Sequence, residues 1–131
     1  MALETGIKGR AECTVSEKDT AKALRSGGGL DVLATPIMIA LMEESALTSV
    51  RPYLEEGTDT VGTNINVSHL SATPVGLRAW AESELVEIDR RRLVFNVKAY
   101  DEKGLIGEGT HERFIVGMEK FTAKCYAKLE K

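Results

Sequence analysis

The sequence predicts an α+β fold in which one antiparallel β-sheet wraps around a long central α-helix. A segment that is apolar on most sides follows Pro36, and a helix of this kind is surrounded by other structure. Downstream, four segments with a period of two are joined by tight turns, which favours antiparallel pairing. The 131 residues are enough for one sizeable core. We therefore expect a single domain over residues 1–131.

The individual elements can be placed in order along the chain. A first strand is predicted at residues 9–16, and the following stretch ends in Ser26-Gly27-Gly28-Gly29, which is typical of a mobile loop. The helix should run from residue 36 to about 54, with Thr35 as its capping hydroxyl and Pro36 at the first helical position. Strands are expected at 58–71, 75–88, 92–101 and 105–116, and a short closing helix at 118–131.

Composition excludes several classes of function. The net charge of -3 argues against nucleic acid as the main partner, because phosphate binding requires a basic surface. No apolar stretch is long enough for a membrane helix, and the amino terminus lacks a signal-peptide core, so a cytoplasmic location without membrane attachment is expected. Cys13 and Cys125 are far apart, and two unpaired thiols fit a reducing compartment. The two histidines and two scattered cysteines form no zinc-ligand cluster, so no metal site is predicted.

Glu43 lies on the wrong face of the predicted helix. At about 100° per residue it falls in the middle of an apolar stripe, whereas Glu44 falls to the side. An ionised carboxylate in such a position is costly unless it is paired or its pKa rises. Either Glu43 has a chemical role, or it meets a buried cation or reaches the surface at a helix edge.

His69 repeats this anomaly on the strand at 58–71. Regular alternation places Val61, Thr63, Ile65, Val67 and His69 on the face toward the helix, and Gly62 on the opposite face. A single histidine on an apolar face is usually an ordinary core residue. Because an unexpected acid and an unexpected imidazole both face one interior, however, an acid/base pair is also indicated.

Two further positions invite a ligand interpretation. Thr35 is a helix cap by its pattern and could also contact a substrate, although a regular helix would place it about 12 Å from Glu43. On the last strand, Gly107, Gly109, His111 and Arg113 share a face. Glycines in a strand leave room for close approach, and Arg113 could then hold an anionic or carbonyl group. A solvated strand with bulge glycines explains the same pattern.

Five short motifs, taken in order, resemble those of a known family. They are ATPIMIALME at 34–43, VGT at 61–63, VSHL at 67–70, ATPVG at 72–76 and GEGTHER at 107–113. With these motifs the sequence resembles the hotdog thioesterase superfamily, and specifically its fluoroacetyl-CoA-thioesterase-like branch. The resemblance covers nearly the whole chain.

The resemblance implies site residues, an assembly and a reaction. It implies a catalytic set of Thr35, Glu43 and His69, and a substrate site lined by Gly62 and Arg113. It also implies a homodimer with a continuous sheet and interfacial active sites, which in many relatives pairs again into a tetramer. The branch's namesake substrate depends on an aromatic lid before the helix. Residues 24–33 contain no aromatic side chain, so fluoroacetyl-CoA is not carried over as the substrate.

The expected activity is hydrolysis of a small acyl-CoA thioester to a free acid and CoA. Coenzyme A would be part of the substrate, and no separate cofactor is expected. Two alternatives remain open at this point. The first is a non-catalytic hotdog protein that binds acyl-CoA or another small ligand, and the second is a hotdog hydratase or dehydratase.

Overall fold

The computed structural model describes residues 2–25 and 27–130. Ser26, at the start of the predicted glycine loop, and Lys131, at the end of the predicted closing helix, lie outside these ranges. The described residues form five strands and two α-helices, with short 3-10 turns between them. Their bounds are β1 Lys8–Thr14, α1 Thr35–Val50, β2 Thr58–His69, β3 Arg78–Asp89, β4 Arg92–Asp101, β5 Gly104–Gly117 and α2 Met118–Tyr126.

The five strands form one antiparallel sheet in the order β1-β3-β4-β5-β2. Alternate residues of β3 and β4 are buried, because one face of the sheet packs on α1 while the other is open. On β4 the buried apolar residues are Leu93, Phe95, Val97 and Ala99. The predicted α+β architecture, a curled sheet around one long helix, is therefore confirmed.

Small residues allow α1 to approach the sheet closely. Ala79 and Ala81 on β3 are fully buried beneath the helix layer. A methyl group at Gly9 on β1 would collide with the Ser45 carbonyl oxygen of α1 and lie 2.7 Å from Cβ of Ser49. In return, the helix buries the face formed by Met38, Leu41, Met42, Ser45, Ala46 and Val50.

The helix ends earlier than its sequence pattern predicts. It stops at Val50, and Arg51–Tyr53 form a separate 3-10 turn. The reason is Pro52, which lacks the N–H that an α-helix would need there and whose ring crowds the preceding turn. No helix in the described part of the chain is long and apolar enough to cross a membrane.

A β-bulge changes which residues of β2 face the helix. Gly62 pairs with Arg113, and Asn64 pairs with Glu112. The two partners are adjacent on β5, whereas Thr63 separates Gly62 from Asn64 on β2, so Thr63 is the extra residue of the bulge. Ile65, Val67 and His69 face the helix as predicted. On the other side of the bulge, Thr60 and Gly62 face the helix instead of Val61 and Thr63. The prediction that Gly62 faces outward is therefore wrong, because strict alternation does not survive the extra residue.

At two glycines inside β5, Gly107 and Gly109, the space that a side chain would take is occupied by other protein atoms. A Cβ at Gly107 would lie 2.6 Å from the Met38 sulfur of α1. At Gly109 it would collide with the Asn66 carbonyl oxygen of β2. The prediction that these glycines leave room for a ligand is therefore wrong, since they permit close packing within the domain.

Replacing Gly109 with alanine should destabilise the fold. The new methyl group would meet the β2 backbone, including Cα of Val67 at 2.6 Å, which cannot move without opening the β2–β5 ladder. We expect a loss of about 1–3 kcal/mol in the free energy of unfolding, measured by denaturant titration. Gly117→Ala is the control, because a Cβ at Gly117 meets no atom within 4 Å and the residue has an ordinary φ of -74°. Equal stability of the two variants would contradict this packing.

Candidate active site

The start of α1 is tied to the end of β2, and this tie brings Thr35 beside His69. The Leu33 N–H donates to the Thr73 carbonyl oxygen at 2.8 Å. The Thr73 hydroxyl in turn donates to the buried Asp101 carboxylate at 2.7 Å. With both segments held, Thr35 Oγ1 lies 2.7 Å from His69 Nδ1. The structure therefore pairs two of the predicted site residues directly.

Thr35 does not cap the helix. Ala34 occupies the N-cap position without a side-chain hydrogen bond, and Thr35 is the first helical residue, with Pro36 second. The predicted capping role is wrong because the Thr35 hydroxyl bonds the His69 ring instead of a backbone N–H. The Thr35 hydroxyl therefore contacts a residue of another element, β2, instead of the backbone of its own helix.

One nitrogen of the His69 ring lacks a partner. Nε2 is buried, and no group among the described residues hydrogen-bonds it. Burial lowers the pKa of His69 below its ordinary value, while the backbone of Ser71 acts in the opposite direction. His69 lines a groove of about 300 Å³ with Thr35, Leu30, Leu70 and other small or aliphatic residues. A neutral imidazole with a free nitrogen beside a groove can transfer a proton.

A second polar cluster surrounds Arg113. Its side chain is only 6% exposed, and it donates from Nε to Thr60 Oγ1 at 2.7 Å and from Nη2 to the Thr60 carbonyl oxygen at 2.9 Å. Nη1 lies 3.7 Å from Glu43 Oε2, and the Glu43 side chain is 45% exposed. Glu43 thus does meet a buried cation, as one of the two sequence interpretations proposed, yet its carboxylate stays open on the other side.

His111 belongs to this cluster and was not predicted as a site residue. Its Nε2 lies 3.1 Å from Arg113 Nη1, and its Nδ1 lies 2.8 Å from the Asn64 carbonyl oxygen. Burial is the main cause that lowers the pKa of His111, and the nearby Arg113 adds to it. The available signal was alternation, which places His111 on the same face of β5 as Arg113.

Gly62 leaves space next to the Glu43 carboxylate. A Cβ at this position would lie 2.9 Å from Glu43 Oε2 and 3.3 Å from His111 Cε1. The space is a pocket of about 240 Å³ that is also lined by Asn64 and Ile65. A ligand atom can therefore approach the carboxylate where any other residue would place a side chain.

Within one chain the two clusters are separate. Because α1 is continuous, Thr35 and Glu43 are about 12 Å apart along its axis. The structure thus joins Thr35 with His69, and Glu43 with Gly62 and Arg113, but it does not join these two sets. In the described ranges, no three His, Cys, Asp or Glu side chains are close enough together to hold a metal ion.

The lowered pKa values of His69 and His111 predict that the fold loses stability in mild acid. Burial lowers the pKa of both His69 and His111 below 6.5, so the unfolded chain binds protons that the folded chain does not. Their contribution is complete above pH 6.5 and decreases as the pH falls below it. We expect the Tm to decrease from pH 7.5 to pH 5.5, and to decrease less in His111→Gln, by calorimetry. Asp59, whose pKa the Arg51 hydrogen bond lowers, acts only at still lower pH. A pH dependence that His111→Gln leaves unchanged would contradict this assignment.

A curled antiparallel sheet around one long helix is the hotdog fold, which the chain shares with a hot-dog-like protein of Thermanaerovibrio acidaminovorans at a TM-score of 0.87 and 23% identity, over 97% of this chain and 93% of that one. The family model of fluoroacetyl-CoA-specific thioesterases, FlK, matches residues 15–119. The fluoroacetyl-CoA thioesterase of Streptantibioticus cattleyicolor is 44% identical over 98 residues, which are 75% of this chain and 70% of that protein. The chain therefore belongs to the FlK family of thioesterases, as its motifs predicted.

Solved structures agree with this assignment. A solved structure of FlK superposes with a TM-score of 0.92 at 35% identity, and the match covers 98% of both chains. A thioesterase superfamily member from Thermus thermophilus gives a TM-score of 0.89 at 28% identity, covering 97% of this chain and 93% of that one. The predicted fold and the thioester hydrolase class are confirmed.

Proposed function

We propose that this protein hydrolyses the thioester bond of a small acyl-CoA, releasing a free acid and CoA. Thr35, Glu43 and His69 would form the reaction centre, and Gly62 and Arg113 would line the substrate site. The observation that carries the proposal is the Glu43 carboxylate, which a buried guanidinium holds on one side and which opens onto a pocket on the other. Two variants of the related FlK have solved structures with ligands, one in complex with acetyl-CoA and the other with fluoroacetate and CoA.

The geometry supports a division of labour between the two clusters. The thioester carbonyl would lie near the start of α1, where backbone N–H groups, or the N–H of Gly62, stabilise a developing oxyanion. Glu43 would activate a water molecule or attack the carbonyl carbon itself. As the C–O bond forms and the C–S bond breaks, His69 would deliver a proton to the departing thiolate. The Thr35 hydroxyl orients the His69 ring for this transfer.

A homodimer is part of the proposal, and the edge strand β2 supports it. This strand is the last in the sheet order, it is 12 residues long, and its central residues are exposed. A long edge with unpaired backbone groups readily pairs with another strand. Pairing of two copies of β2 would continue the sheet from one subunit to the other, and further pairing into a tetramer would use other surfaces.

Pairing of this kind would also complete the site. Two copies related by a twofold axis pair antiparallel, so the His69 end of one strand lies toward the Gly62 half of the other. The Thr35–His69 pair of one subunit would then approach the Glu43 cluster of its partner. This removes the separation of about 12 Å that one continuous helix imposes within a chain.

A cytoplasmic location is also proposed. Cys13 is half-buried, Cys125 is exposed, and both are free thiols in the structure. Unpaired cysteines of this kind fit a reducing compartment. Acyl-CoA would be the small-molecule partner, with no cofactor beyond the CoA portion of the substrate itself.

A thiol-release assay tests the proposed function. The chain would be incubated with a panel of short, branched and aryl acyl-CoA esters, and free CoA would be measured with a thiol reagent. We expect catalytic release from at least one small ester. Tight binding of CoA esters without release would indicate a binding protein, and hydration of an enoyl-CoA would indicate a hydratase. Sedimentation at about twice 14.3 kDa would support the dimer, whereas a monomer that is fully active would contradict the shared site.

A further inference from the structure

We infer that His111 is a positioning residue of this site. Held neutral with its proton on Nδ1, it fixes the guanidinium of Arg113 beside Glu43 and secures the β2 bulge at Asn64. The consequence for catalysis rests on the proposed function, whereas the tautomer and the two contacts are properties of the fold itself.

The hydrogen-bond partners define the tautomer. A guanidinium can only donate, so the contact of 3.1 Å between Arg113 Nη1 and His111 Nε2 requires Nε2 to accept. The proton of the neutral ring is then on Nδ1, which donates to the Asn64 carbonyl oxygen at 2.8 Å. A ring with its proton on Nε2 would leave a carbonyl facing a bare nitrogen and a guanidinium facing an N–H.

The bond to Asn64 secures the bulge. The extra residue in β2 lies between Gly62 and Asn64, where the ladder with β5 is interrupted. His111 extends from β5 to this point and adds a side-chain bond where the backbone pairing is irregular. Because the bulge turns Gly62 toward Glu43, the His111 bond helps to keep the pocket open at that position.

The bond to Arg113 sets the position of one guanidinium nitrogen. Thr60 holds Nε and Nη2, which leaves Nη1 as the nitrogen shared between His111 and Glu43. At 3.7 Å, the Glu43 contact is an ion pair rather than a hydrogen bond. His111 therefore attracts Nη1 away from a tight pairing with Glu43. Loss of this acceptor would allow the guanidinium to neutralise the carboxylate that the reaction needs.

The role requires a neutral ring. The charged groups around His111 are Arg113 and Glu112 on its own strand and Glu43 on α1, and the Phe95 ring of β4 lies 6.2 Å away between ring centres. Protonation would remove the acceptor and place a second cation 3.1 Å from the guanidinium. We therefore expect His111 to lose its contact with Arg113 in acid, although the carboxylates of Glu43 and Glu112 partly offset the repulsion between the two cations.

Imidazole NMR tests the tautomer directly. The chain contains only 2 histidines, so a ¹⁵N-labelled sample gives two ring systems that His69→Asn and His111→Gln assign. We expect the His111 ring at pH 7 to be neutral, with a slowly exchanging Nδ1–H and a bare Nε2. A proton on Nε2, or a charged ring at that pH, would overturn the inference whatever the enzyme does.

Two variants test the consequence for the proposed reaction. His111→Phe removes both bonds while keeping a ring against Phe95, and it should lower kcat by about 10²-fold, the effect of a small displacement of a reacting group, with little change in KM. His111→Gln offers Arg113 an acceptor again, and it should recover most of this loss and show a weaker decline of kcat in acid. Equal impairment of both variants, or a folded His111→Phe protein with normal kcat, would contradict the inference.

The failures of the two proposals are distinguishable. A wild-type chain that releases no thiol from any ester overturns the proposed function, and the NMR spectrum still tests the tautomer. If His111→Phe does not fold, His111→Gln and the NMR spectrum remain decisive. A lower Tm with unchanged kcat and an unchanged pH profile would mean that His111 is structural only and would refute the positioning role.

Discussion

Glu43→Gln is expected to lower kcat for acyl-CoA hydrolysis by about 10²-fold or more. The amide has the shape of the carboxylate but can neither accept a proton from water nor attack a carbonyl. The pocket beside Gly62 should keep its form, so KM should change much less than kcat. Steady-state thiol release with the best ester of the panel measures both constants.

Glu44→Gln is the matched control for this experiment. Glu44 is the next residue of α1, it carries the same charge, and it is exposed. We expect its activity to equal that of the wild type. A Glu43→Gln protein that is folded, dimeric and close to normal in kcat would remove Glu43 from the chemistry. Similar losses of kcat in the two variants would indicate that the reaction depends on the negative charge of α1 in general and not on Glu43 as a reacting group.

His69→Asn should have an effect of comparable size, about 10²- to 10⁴-fold on kcat. The asparagine amide retains a polar group near the position of Nδ1, so it can still pair with the Thr35 hydroxyl. It lacks Nε2, the nitrogen that has no protein partner in the described residues. The departing thiolate would then leave without a proton donor, and an ester with a more acidic thiol leaving group should be less affected.

Two neighbouring changes make the His69 result specific. Ser68→Ala alters the adjacent residue, whose side chain lies on the opposite face of β2, and it should leave kcat unchanged. Thr35→Val removes the hydroxyl that orients the ring and should cause a smaller loss, about 10-fold, which is less than the roughly 10²-fold that a 1 Å misplacement of a reacting group can cost. Near-normal turnover by His69→Asn would exclude His69 as the proton carrier.

Much of the fold could be predicted because its signals are periodic. The alternation of β3 and β4 and the apolar circumference of α1 directly reflect burial against each other. The ends of the elements are harder to predict from sequence. The helix stops at Val50 rather than near residue 54, because a single proline, Pro52, decides where it ends. The facing of Gly62 was mispredicted because an inserted residue reverses alternation without any local change in composition.

Residues of the candidate site could be predicted from the pattern only where a residue contradicts it. Glu43 and His69 stand out because an ionisable group interrupts an apolar row. His111 sits among glycines and charged residues on β5, where no apolar row exists to interrupt, so its burial could not be inferred. The partner of Glu43 could not be assigned either, because the contact with Arg113 depends on how closely α1 and β5 approach in three dimensions.

The unbroken backbone of α1 has a consequence for altering substrate preference. Thr35 and Glu43 lie on the same continuous helix, so the distance between them cannot change unless helical hydrogen bonds break. The groove beside His69 is bordered instead by the preceding loop, through Gly27 and the largely exposed Leu30. Under the proposed function, selection of the acyl group and positioning of the reacting groups would thus depend on separate parts of the chain. Randomising the loop while leaving α1 unchanged is therefore the most direct way to alter the acyl-group selectivity.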